Sequence, residues 1–82
     1  MPTVLRQTGF DFRIYTLDHV PSHVHVWKAG KEVVINLGNA RHAPYVRSNN
    51  GMSTQEKNKA LQIAGENQDF LLAEWEKIHG ST

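Results

Sequence analysis

The 82-residue sequence contains no cysteine. That absence removes disulfides, thiolate nucleophiles and cysteine-based zinc sites together, and it fits a reducing cytosol. Charge of one sign is lacking too. Nine lysines and arginines against eight aspartates and glutamates leave a formal +1, too weak to demand nucleic acid, because dedicated binders carry a denser basic stripe. No segment approaches the ~18 apolar residues of a membrane span. The opening Met1-Pro2-Thr3-Val4-Leu5-Arg6 has no apolar signal-peptide core. A cytoplasmic protein with no membrane contact is the expectation. There is no glycine-rich phosphate loop, no G-x-S-x-G elbow, no internal repeat and no low-complexity stretch.

What is present suffices for one small domain, residues 1–82, with 39% apolar residues to build a modest core. Domains of this size have a thin stability margin, so a dimer or a partner protein is expected to help. The charge is distributed unevenly: residues 1–52 sum to +3 and residues 53–82 to −2. A mildly basic half beside an acidic one is compatible with RNA, DNA or an acidic partner, though an ordinary mixed surface is the commoner meaning of such a pattern.

Thr3 to Arg6 reads as a short strand, Gln7-Thr8-Gly9 as a turn, and Phe10 to Tyr15 alternates apolar and polar. This period of two is the clearest strand signal in the chain and puts Phe10, Phe12 and Ile14 on the core face. After a loop from Leu17 to Ser22, His23–Lys28 and Lys31–Leu37 form a second hairpin about Ala29-Gly30. Residues 38–51 lack periodicity and read as a long connection, with room for a short strand at Tyr45-Val46-Arg47. Ser53 followed by Glu56 is a capping box opening a helix. Leu61, Ala64, Leu71, Leu72, Trp75 and Ile78 form its apolar stripe, widened by Ile63 and Phe70, and Gly65 is a point where it could bend. The expectation is an α+β domain: a small antiparallel sheet of about four strands in two hairpins, packed by one long C-terminal amphipathic helix.

Three of five histidines fall in the segment Asp18-His19-Val20-Pro21-Ser22-His23-Val24-His25. Strand residues two apart share a face, so His23, His25 and Trp27 point one way and Val24 and Val26 the other. Three readings follow. His23 and His25 chelate a divalent transition metal, with His19 or Asp18 as third ligand. Alternatively they divide acid and base roles in cleaving an RNA or nucleotide phosphodiester, with Arg41, His42 or Arg47 stabilising charge on phosphorus. In the third, they are structural or part of a partner surface, the commoner fate of a histidine. The run from Arg41 to Arg47 joins cations to an aromatic ring. Arg41, His42, Tyr45 and Arg47 would suit a nucleic-acid backbone with one stacked base, or form a solvated loop.

Four ordered motifs carry a resemblance across nearly the whole chain. They are Met1 to Arg6; Gly9-Phe10 with Phe12; Asp18-His19 with Pro21 to Val26; and Glu66-Asn67 with Leu71-Leu72 and Trp75. In these the chain resembles a family of small bacterial domains of unknown function; Ser22 stands where that family usually has a second proline. The resemblance implies a two-gene, toxin–antitoxin-like or regulatory arrangement, a small partner protein encoded beside this one, and RNA or DNA as a further target. His19, His23 and His25 match its histidine motif position by position. The expected function is an interaction module of such a pair, working through the His19/His23/His25 face and the Arg41–Arg47 loop. The alternative is a small histidine-dependent hydrolase of RNA or nucleotides, with or without a metal.

Overall fold

The structure is a computed structural model and describes residues 3–80. Met1 and Pro2, which begin the first motif, lie outside the described residues. Five strands, β1 (Thr3–Gln7), β2 (Phe10–Arg13), β3 (His23–Lys28), β4 (Lys31–Asn36) and β5 (Tyr45–Asn50), form one antiparallel sheet in chain order. Two helices follow, α1 (Thr54–Glu66) and α2 (Gln68–His79).

Alternation decides which face is covered. Phe12, Val24, Val26, Val33 and Ile35 are fully buried on the core side, with Phe10 nearly so, and Ile14 and Leu37 continue the row just past the strand ends. The helices contribute Ala60, Ile63, Ala64, Leu71 and Trp75 to the same cluster. Asp11, Arg13, His25, Trp27 and Glu32 alternate with the buried residues and so belong to the opposite face. There Arg13 lies over the Trp27 ring at 5.5 Å, and the Trp27 indole donates to the Tyr15 hydroxyl at 3.3 Å.

Three expectations are corrected. The sheet has five strands, because the expected short strand at Tyr45 extends to Asn50. A register shift between Val34 and Ile35 pairs them with Ser48 and Val46, leaving Arg47 as the extra residue of a bulge. The helical segment is two helices. The break falls at Asn67 (φ −118°, ψ 20°), whose side chain donates to the Ile63 carbonyl at 2.8 Å, and not at Gly65. The break also changes which side chains reach the core, and Phe70 is 45% exposed where the apolar stripe placed it inside.

The start of α1 is fixed as its sequence implies. The Ser53 hydroxyl accepts from the Glu56 amide at 3.1 Å, and the Glu56 carboxylate accepts from the Ser53 amide at 2.9 Å. Lys31 of β4 donates to both oxygens of the same carboxylate at 2.9 Å, so one side chain caps the helix and ties it to the sheet. The Ser53 amide and the Lys31 ammonium hold the Glu56 carboxyl down at about 2. A carboxyl depressed in the folded state stabilises above its unfolded value, and that contribution is lost as pH falls toward the folded one. The stability gap between the native protein and Glu56→Gln is therefore expected to be full above about pH 4.5 and to close as pH drops toward 2. Thermal melts of both proteins across that range check it; a gap independent of pH refutes it.

Candidate functional site

The loop from Ile14 to Ser22 carries Asp18 back over the start of β3. The Asp18 amide donates to the Tyr15 carbonyl at 3.1 Å, and the Tyr15 amide donates to Asp18 Oδ2 at 3.0 Å. This reciprocal pair closes a tight turn and aims the carboxylate at β3. There the rings of His23 and His25 lie 5.2 Å apart, as the two-residue spacing implies. His25 Nε2 is 3.3 Å from Asp18 Oδ1, and His23 Nε2 is 3.5 Å from Asp18 Oδ2.

The other nitrogen of each ring is also held. A carbonyl can only accept, so His23 Nδ1 donates to the Pro21 carbonyl, at 2.9 Å. His25 Nδ1 lies 2.8 Å from Glu32 Oε2. Glu32 pairs with Trp27, and His25 with Val34, so Glu32 is the diagonal same-face neighbour of His25 across the β3–β4 ladder. His23 is buried at 4% exposure and its ring lies 5.3 Å from that of Trp75, which in turn stacks on His79 at 3.9 Å. Tyr15 tilts against His25 at 4.7 Å. The site thus has an aromatic wall from α2, a carboxylate from the loop and a second carboxylate from β4.

Burial alone would raise the Asp18 carboxyl, but the Tyr15 amide and the neighbouring His25 and His23 outweigh it and hold it below the ordinary aspartate value. Asp18 and Glu32 bring two negative charges to a partly buried cluster. A positive charge at this point would balance them. The donor atoms of Asp18, His23 and His25 all lie within 4.8 Å of one another, a set able to hold a metal ion. His19 is exposed on the same turn and is not part of this set. Glu32 is the participant that reading the histidine segment alone does not reveal.

The residues expected to contact nucleic acid divide. Arg41, His42 and Tyr45 line a surface groove of about 580 Å³ together with Pro21, Ser22 and Asn36. Pro21 and Ser22 immediately precede His23, so the groove runs alongside the histidine cluster. Arg47 is exposed on β5 but does not line it. The groove wall is firmly held. The Gln68 amide at the start of α2 donates to the carbonyls of Leu37, Asn39 and His42 at 2.8, 3.0 and 2.9 Å. Asn39 Oδ1 accepts from the amides of Arg41 and His42. Asn36 donates to the Tyr45 hydroxyl at 3.0 Å and fixes that ring at the groove's edge. Among the described residues no helix is long and apolar enough to cross a membrane.

No curated protein and no solved structure matches the chain. One family does: its description reads "Domain of unknown function (DUF4160)", its match covers residues 9–76 with every element from β2 through most of α2, and the chain belongs to it.

Proposed function

We propose that the domain is the interaction module of a two-gene, toxin–antitoxin-like pair, docking on the small protein encoded beside it. The observation that carries this reading is the loop fastened by Asp18. It exposes Leu17 at 86% and Val20 at 75%, large apolar side chains on either side of Asp18-His19. Isolated exposed aliphatics are ordinary on a protein surface. Here the Tyr15–Asp18 turn holds Leu17 in place, and Val20 immediately precedes Pro21, which lines the groove with Arg41, His42 and Tyr45. A surface ordered beforehand costs a partner little entropy. On this reading the exposed His19 turn and the groove residues Arg41, His42 and Tyr45 are the working surface, with His23 and His25 supporting it from beneath.

The test is co-expression with the adjacent gene's product followed by affinity capture. Leu17→Ser with Val20→Ser should weaken capture at least tenfold, as loss of a central apolar contact of ~1.5–2 kcal/mol would. The melting temperature should hardly change, since neither side chain is buried. Capture equal to that of the native protein, or no capture of the neighbour by soluble native protein, overturns the reading.

A second reading, a histidine-dependent phosphodiester hydrolase, is favoured by one observation: two imidazoles and a carboxylate converge beside a groove with cationic and aromatic walls. His25 would exchange the proton while Arg41 and His42 met the phosphate. In the same preparations, RNA cleavage abolished by His25→Ala with the fold retained would select the enzyme over the module.

A further inference from the structure

We propose that Asp18, His23 and His25 form a binding site for one zinc-class divalent metal ion, with Glu32 and the Pro21 carbonyl as the groups that orient the two imidazoles. Partner binding does not require it.

The case rests on how the two rings and the carboxylate are held about one point. Once His23 Nδ1 donates to the Pro21 carbonyl at 2.9 Å, a neutral ring has only a lone pair at Nε2, and that lone pair faces Asp18 Oδ2. His25 is held in the same way: with Nδ1 donating to Glu32 Oε2 at 2.8 Å, a neutral ring presents its Nε2 lone pair toward Asp18 Oδ1. Two nitrogen lone pairs and a carboxylate pointing at one place repel each other unless a positive charge lies between them. Metal-binding histidines are held in this way, the remote ring N–H donating to a carbonyl or carboxylate.

The dimensions agree. Bonds of about 2.0–2.2 Å to a tetrahedral centre place neighbouring ligand atoms about 3.3–3.6 Å apart. His25 Nε2 lies 3.3 Å from Asp18 Oδ1 and His23 Nε2 lies 3.5 Å from Asp18 Oδ2, one nitrogen to each carboxylate oxygen. The three donor groups lie within 4.8 Å of one another, so a small closure about an ion completes the set. Asp18 does not swing freely, because the Tyr15 amide holds its Oδ2. Two imidazoles and one carboxylate select zinc and its transition-metal neighbours over magnesium or calcium, which favour all-oxygen shells. Three protein ligands leave a fourth position for water or for a group from a partner. Trp75, 5.3 Å from His23, reports on the site optically.

The experiment uses the untagged full-length protein, stripped with chelator and titrated with zinc chloride by calorimetry, with tryptophan emission followed in parallel. One equivalent should bind and raise the melting temperature, because a ligand of the native state stabilises it. Cobalt(II) should give the visible absorption of a low-coordinate nitrogen–oxygen site, and magnesium should give no uptake. Asp18→Asn and His25→Ala should each weaken zinc binding more than a hundredfold. Glu32→Gln should weaken it ten- to a hundredfold, acting only through the His25 ring. His42→Ala, in the neighbouring groove, should leave it unchanged. His23→Gln is the riskier variant for folding, so Asp18→Asn and His25→Ala, checked by circular dichroism, decide the matter. Absence of saturable one-equivalent uptake, or equal uptake by the His25→Ala protein, overturns the proposal.

Discussion

Trp75→Ala is expected to cost about 3–5 kcal/mol, as removal of a buried tryptophan does. For a domain of 82 residues, total stability is on the order of 4–12 kcal/mol. The variant should therefore unfold at a urea concentration roughly 2–4 M below that of the native protein, or be partly unfolded without denaturant. Trp75 is only 6% exposed and packs against the rings of both His23 and His79. Its loss opens a cavity between α2 and the histidine cluster, and Trp75→Phe, which keeps an aromatic wall, should lose markedly less. Urea titrations followed by circular dichroism measure both. A change below about 1 kcal/mol in Trp75→Ala would mean that α2 is not seated on the sheet as described.

Gly38→Ala should be almost as damaging, although it adds a single methyl group. Gly38 has φ +69°, and a Cβ there would lie 2.2 Å from the His42 carbonyl oxygen and 2.9 Å from that of Ala43. The left-handed backbone alone costs a non-glycine residue about 1–2 kcal/mol. Overlap with backbone oxygen adds to it, because those carbonyls cannot rotate away: Gln68 holds His42, and Asn39 bridges to it. Gly30 is the internal control. Its φ of +77° is similar, but nothing lies within 4 Å of its Cβ position, so Gly30→Ala should show the conformational cost alone. Melting temperatures of the two variants test the comparison. Equal losses would show that contact with the His42 and Ala43 carbonyls adds nothing to the conformational cost at Gly38.

The legible parts of the fold were those where periodicity and turn chemistry agreed. Phe10, Phe12 and Ile14 advertised their face by alternation, and Ala29-Gly30 fixed the second hairpin, whose first strand runs from His23 to Lys28 as the sequence implies. Of β5 the sequence shows only the start at Tyr45-Val46-Arg47, because Val46 is its only aliphatic residue and the bulge at Arg47 interrupts the phase of the alternation through Asn50. Phe70 departs from the apolar stripe for a related reason: helical spacing does not carry through Asn67, where one helix stops and the next begins. At the site, the His-x-His spacing announced a shared face without announcing its company. Asp18 is one of two candidates from the turn; the Tyr15 amide, invisible to composition, turns its carboxylate toward the histidines, whereas His19 is exposed. Glu32 lies seven residues from His25 along the chain. It became a neighbour only through the cross-strand register, which the two-residue turn at Ala29-Gly30 could have supplied.

Each strand of the sheet hydrogen-bonds only to its neighbours in the chain, and both covering helices come last. During synthesis the hairpins can therefore close one after another as they leave the ribosome, without waiting for a distant segment. The completed sheet then carries a bare apolar surface until the final third of the polypeptide emerges, so a stall or truncation near Gly51 would release a sticky intermediate that calls for chaperone protection.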